Sequence, residues 1–146
     1  MRKLILLLAL SAALHLPLQA QRSDETAKLR IAASQYEIIE LLMQKHDYSQ
    51  ILGEYRKILA LNLEDEKLVV QATKLIAVDR LCTAGQYSLA TQIINEALST
   101  ARLSDSKFFL MMAKGKVLKD QGKLQEAIEI FRKAQQFAPA ADSIEK

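Results

Sequence analysis

The chain has 146 residues, 50% hydrophobic, 25% charged and 5% aromatic, with four Gly and two Pro, a composition that excludes collagen-like, proline-rich and low-complexity classes and predicts one compact domain. Lys and Arg number 20 against 17 Asp and Glu, a net charge of +3 that falls to near neutral if Arg2 and Lys3 leave with a cleaved leader. A phosphate-tracking surface needs a clear basic excess with interleaved aromatic residues, so nucleic acid is not an expected partner.

Residues 1–20 combine Arg2 and Lys3, an apolar stretch from Leu4 to Leu14, and Ala20 just before the polar run Gln21-Arg22-Ser23-Asp24-Glu25. These are the three parts of a secretory signal peptide, with cleavage expected after Ala20 and a periplasmic or secreted destination. The apolar stretch falls short of the ~18 to 20 residues that span a bilayer, and Pro17 ends it. From Ser23 onward apolar residues recur at spacings of three and four, with no strict alternation, which predicts an all-α chain over residues 21–146. Ser23, followed by Asp24 and Glu25, is the expected cap of a helix reaching about Lys45, with Ala32, Tyr36, Ile39, Leu42 and Met43 on one face. Breaks follow at Lys45-His46-Asp47, Asn62-Leu63-Glu64-Asp65, Ala84-Gly85-Gln86, Leu103-Ser104-Asp105 and Gln121-Gly122-Lys123. Asp47, Asn62 and Ser104 are the expected caps of the next helices, while Gly85 and Gly122 suit the left-handed conformation that closes a helix. The result is six helices of about 14 to 20 residues in three antiparallel pairs.

The pairs are copies of one unit. The last contains Met111, Gly115, Leu118, Gly122, Leu124, Ala127, Phe131, Ala134 and Pro139; the middle one aligns at an offset of 37 through Val78, Leu81, Gly85, Tyr87, Ala90, Ile94 and Ala97, with Arg102 in place of the proline. The first aligns at a further 39 through Ile39, Leu42, His46, Tyr48, Ile51, Tyr55 and Ile58. Small residues at Gly115, Ala127 and Ala134 let helices approach, and large ones at Leu118, Leu124 and Phe131 fill the gaps. This spacing resembles the tetratricopeptide repeat (TPR), over about 32–65, 71–104 and 108–141. Gln35, Lys74 and Lys114 depart from it, each standing where that family usually has a large apolar residue. The resemblance implies a right-handed superhelical array of about three TPR-like helix-turn-helix repeats.

Little in the sequence points to chemistry. Cys82 is the only cysteine, so no internal disulfide can form, and its helical surroundings predict a small buried hydrophobe rather than a nucleophile. His46 falls in a turn, no zinc-ligand spacing exists, and no serine is bracketed by glycines as a nucleophile would need, so neither metal nor cofactor is expected.

What remains is a binding surface. The resemblance implies that the first helices of successive repeats line a groove holding a peptide or a partner helix. Carried onto this sequence, repeat one offers Ala33, Tyr36, Glu37, Glu40, Met43 and Gln44, repeat two Ala72, Leu75, Ile76, Asp79, Cys82 and Thr83, and repeat three Phe109, Met112, Ala113, Lys116, Lys119 and Asp120. Such a groove would run from an acidic N-terminal end through an apolar middle to a basic C-terminal end. Phe108 and Met111 are expected in the core. The family's clamp for a terminal carboxylate is absent, since Tyr36, Glu40, Ile76, Phe109 and Ala113 occupy its positions.

The expected function is therefore non-enzymatic: an exported scaffold binding another protein or peptide, assisting assembly of an envelope or secretion complex and associating peripherally with the envelope. The last helix has no polar capping helix after it, so its edge, with Ile128 and Phe137, suits completion by a homodimer contact or by another protein. The alternatives are a small hydrolase or carbohydrate-acting enzyme using Glu37, Glu40 and Asp79, and a purely structural helical extension.

Overall fold

The computed structural model describes the backbone of residues 2–140 and the side chains of residues 20–140. Six helices follow in order, with no strand among the described residues: α1 (Arg2–Gln44), α2 (Ile51–Ala60), α3 (Glu66–Lys74), α4 (Tyr87–Thr100), α5 (Ser104–Asp120) and α6 (Leu124–Ala134). Helix α3 continues without interruption as a π-helical segment, Leu75–Cys82. Single 3₁₀ turns, Tyr48–Gln50 and Gln135–Phe137, precede α2 and follow α6, and they account for these two helices being shorter than predicted.

Three antiparallel hairpins, α1/α2, α3/α4 and α5/α6, stack side by side around one core. Its large, fully buried members are Ile39 of α1, Ile51 and Tyr55 of α2, Ile76 and Leu81 of the π-helical segment, Ile93 and Ile94 of α4, and Leu110 and Val117 of α5. Each such side chain contributes about 1.5–3 kcal/mol by leaving water. A buried hydroxyl pair links the first hairpin to the second. The Thr73 hydroxyl donates to the Val69 carbonyl at 2.6 Å, so its oxygen accepts from the Tyr55 hydroxyl at 2.5 Å.

The three hairpin turns share one backbone geometry. His46, Gly85 and Gly122 have positive φ of 57°, 72° and 83°, and the residues after them, Asp47, Gln86 and Lys123, sit at φ/ψ of −92/72°, −89/56° and −83/65°. Each turn closes with the same two bonds: Asp47, Gln86 and Lys123 N–H donate to Leu42, Leu81 and Leu118 carbonyls at 2.8–2.9 Å, and His46, Gly85 and Gly122 N–H to Met43, Cys82 and Lys119 carbonyls at 2.9–3.0 Å. This is the Schellman closure, which satisfies carbonyls orphaned at a helix end. It recurs at the offsets of 39 and 37 read from the sequence. The small and large positions also pair: a Cβ on buried Gly115 would run into the Phe131 ring, and Ala127 and Ala134 are buried between α5 and α6.

Other expectations are corrected. Ser23 lies inside α1, because the leucine- and alanine-rich residues before it sustain the helix upstream; the side chains of residues 1–19, on which the signal-peptide reading rests, lie outside the described residues, as do residues 141–146. Asn62 takes a positive φ of 49° and ends α2, leaving Asp65 to cap α3 by accepting from Lys67 N–H at 2.9 Å. Asp47 makes no side-chain bond to the backbone; its carboxylate accepts from Ser49 and Gln50 side chains instead. Ser104 is already helical, and the start of α5 is capped across the fold by Glu66, whose carboxylate accepts from Arg102 N–H at 2.7 Å and Leu103 N–H at 3.0 Å. Glu66 and Ser104 open the second and third pairs, at the breaks read from the sequence. Leu124, assigned to gap filling, is mostly exposed, and Phe108 and Met111 are only half-buried, because α6 presents one apolar side that no described helix covers.

Candidate functional site

Helix α1, the α3 helix with its π-helical continuation, and α5 supply the face on which the sequence places a groove. Of the residues assigned there, Glu37, Gln44, Leu75, Asp79, Thr83, Phe109, Met112, Lys116 and Lys119 are exposed, while Tyr36 and Glu40 are half-buried. Met43, Ile76, Cys82 and Ala113 are buried and serve the core instead. The π-helical turn is wider than an α-turn, which lets Ile76, Ala77 and Val78 be buried consecutively while Asp79 and Thr83 stay on the open face.

Two depressions lie between the second and third hairpins on this face. One, of about 440 Å³, is lined by Val78, Asp79, Cys82, Thr83 and Tyr87 on one side and by Lys116 and Asp120 on the other. The second, of about 260 Å³, is lined by Lys67, Val70, Gln71 and Lys74 of α3 and by Leu103, Asp105, Ser106 and Phe109. Leu75 lies between them along the chain on one helix, and Met112 on the other. The structure thus brings Asp79, Thr83 and Lys116 together and sets Phe109 against α3. Glu37 and Gln44 line neither depression.

The electrostatics differ from the simple acid-to-base gradient. Glu40 is engaged by Arg80 at 3.0 Å and by the Tyr36 hydroxyl, which donates at 3.1 Å. Burial raises the Tyr36 pKa, and the Glu40 carboxylate raises it further. One acid of the N-terminal end is therefore neutralised by a cation from the second hairpin. Arg80 escaped the sequence reading because it stands where the first repeat has Leu41, and its partner lies in another repeat. At the other end Lys116 stands beside Asp79 and Asp120 rather than alone. Burial, and after it the Asp120 charge, pushes the Cys82 thiol up to about 11, which keeps it protonated.

A further cleft of about 310 Å³ runs along the junction of α3 with α4 and α5, past Leu63, Glu66, Ala97, Arg102 and Leu110. Burial pushes the Glu66 carboxyl upward, but the Arg102 and Leu103 N–H groups, the Ser106 hydroxyl and the Arg102 guanidinium together hold it below the usual carboxylate range. Its hydrogen bonds are spent on joining two helices. Among the described residues no group of three or more His, Cys, Asp and Glu side chains is arranged to hold a metal ion, and no helix is long and apolar enough to cross a membrane. Comparison with protein-family models, with curated proteins and with solved structures finds no match to this chain.

Proposed function

We propose that this chain is an exported, non-enzymatic scaffold: three TPR-like units in a right-handed superhelical array, whose first helices hold a partner protein's helix or extended segment. The leader-like residues 1–20 support the exported reading, and the identical Schellman turns at offsets of 39 and 37 support the repeat reading. The observation that carries the binding role is the exposure of Leu75, Phe109 and Met112 on two adjacent first helices, flanked by Lys67, Lys74 and Lys116, none of which forms a salt bridge among the described residues. Large apolar side chains grouped on one face, rimmed by charge, are the composition of an interaction surface. A partner presenting apolar residues with acidic neighbours fits it. An envelope or secretion assembly is the setting an exported scaffold of this kind would serve.

A crosslinking pull-down from the exported fraction tests this, comparing the wild type with Phe109→Ala/Met112→Ala/Lys116→Glu after circular dichroism has established equal helicity. Capture of a protein by the wild type and its loss from the variant is the expected result. Retention of the same partner by the variant overturns the assignment of the face.

A further inference from the structure

The repeat itself shows what should cover its two open ends. Position by position, Tyr48, Leu52 and Tyr55 of the first hairpin correspond to Tyr87, Thr91 and Ile94 of the second and to Leu124, Ile128 and Phe131 of the third. In the first two hairpins this set is half to fully buried, with Tyr55 sealed completely where α2 packs on α4 and its hydroxyl meets Thr73 of α3, and Ile94 sealed completely on α4, which packs on α5. In the third, Leu124 is 60% and Ile128 44% exposed. The mirror situation holds at the other end. Ile31, Ser34 and Ile38 of α1 correspond to Val70 and Thr73 of α3 and Ala77 of its π-helical continuation, all buried, with Thr73 meeting the preceding hairpin through the Tyr55 hydroxyl bond. On α1, however, Ile31 is 54% and Ile38 41% exposed.

We propose that these two faces are one interface, and that a second copy of this chain lays its α1, through Ile31, Ser34 and Ile38, on the α6 edge formed by Leu124, Ile128 and Phe131. The contact repeats between copies the junction that α2 makes with α3 inside one copy, with Phe131 in the place of Tyr55 and Ser34 in the place of Thr73. The occupant is a second copy because the complement of each face is present on the same chain and is already built at the internal junction where Tyr55 meets Thr73. Such a contact is heterologous: it joins tail to head, leaves both outer faces free, and extends to a ring or an open chain. It is independent of the face that bears Phe109 and Met112, and stands or falls separately from the scaffold reading.

Sedimentation velocity of the full chain over a concentration series tests it, with Ile38→Glu and Ile128→Glu as edge variants at exposed positions, each first compared with the wild type by circular dichroism. The wild type is expected to grow beyond a dimer as concentration rises. Each variant alone keeps one working edge and should lose roughly tenfold or more in association, whereas an equimolar mixture of the two should give a species of two chains. In a Cys82→Ala background, a short bismaleimide should join chains carrying Ser34→Cys to chains carrying Ile128→Cys and neither kind to itself. Dimers of Ile38→Glu alone would mean that α6 edges pair with each other, which overturns the proposal. So would a wild type that stays monomeric across the series, or one that associates only after residues 141–146 are deleted, since the chain's own tail would then be the occupant.

Discussion

The Thr73 hydroxyl has one proton to give, and the Val69 carbonyl takes it, so the fully buried Tyr55 hydroxyl depends on Thr73 as its acceptor. The two partners are therefore unequal. Thr73→Val should cost about 1–3 kcal/mol by leaving a buried hydroxyl without an acceptor, and Tyr55→Phe less, because Thr73 keeps its bond to Val69; urea denaturation of both variants measures the difference. Glu66 gives a pH-dependent counterpart. Its pKa is lower in the folded chain than unfolded, so its stabilisation is complete above the unfolded value of about 4.3 and disappears as pH falls through the lower folded value. The melting-temperature gap between wild type and Glu66→Gln should accordingly be full at neutral pH and close in strong acid, while a gap unchanged down to the lowest pH would refute the capping role. At Cys82, burial and a raised pKa predict slow labelling by thiol reagents in the native chain and rapid labelling in denaturant.

Elements are set by how their ends are closed and by what their faces meet. Gly85 and Gly122 adopt a conformation that costs an L-residue roughly 1–2 kcal/mol, so Gly85→Ala and Gly122→Ala should each destabilise by about that amount; thermal melts with no shift would show that the turns relax instead. Helix α5 meets α6 where Gly115 faces Phe131. Gly115→Ala should cost about 1–3 kcal/mol through overpacking, and Phe131→Leu in the same chain should recover part of it, a coupling that a double-mutant cycle reads directly. The turn positions were legible in sequence because glycine and polar breaks are local signals, and the Gly115 and Phe131 pairing because small and large residues recur at fixed offsets. The π-helical Leu75–Cys82 was not legible, since Ile76, Ala77 and Val78 read equally well as part of an ordinary amphipathic helix. Nor was the capping of α5, because the carboxylate that accepts from its N–H groups, that of Glu66, sits in a different hairpin.

At the scale of the whole molecule the three hairpins form a stack with a shared core and two ends that no described helix covers. That arrangement separates two surfaces, the face of first helices around Phe109 and Met112, and the edges on α1 and α6. Substitutions on one should leave the other intact. Phe109→Ala/Met112→Ala/Lys116→Glu should therefore sediment as the wild type does, and Ile128→Glu should retain whatever partner the wild type captures; cross-effects between them would mean that the two surfaces are not distinct.

By itself the sequence determined helical content, the five breaks and the repeat offsets, because periodicity, glycine placement and the alternation of small and large residues act over a few positions along the chain. Only the tertiary structure decided which apolar residues are covered and which charges are neutralised. Leu124 and Ile94 are equally apolar in sequence, yet one is open to solvent and the other sealed, and Glu40 becomes a paired carboxylate only when Arg80 arrives from the next hairpin. Burial and charge pairing depend on neighbours distant in the chain, and no local pattern records whether a repeat has another repeat stacked upon it.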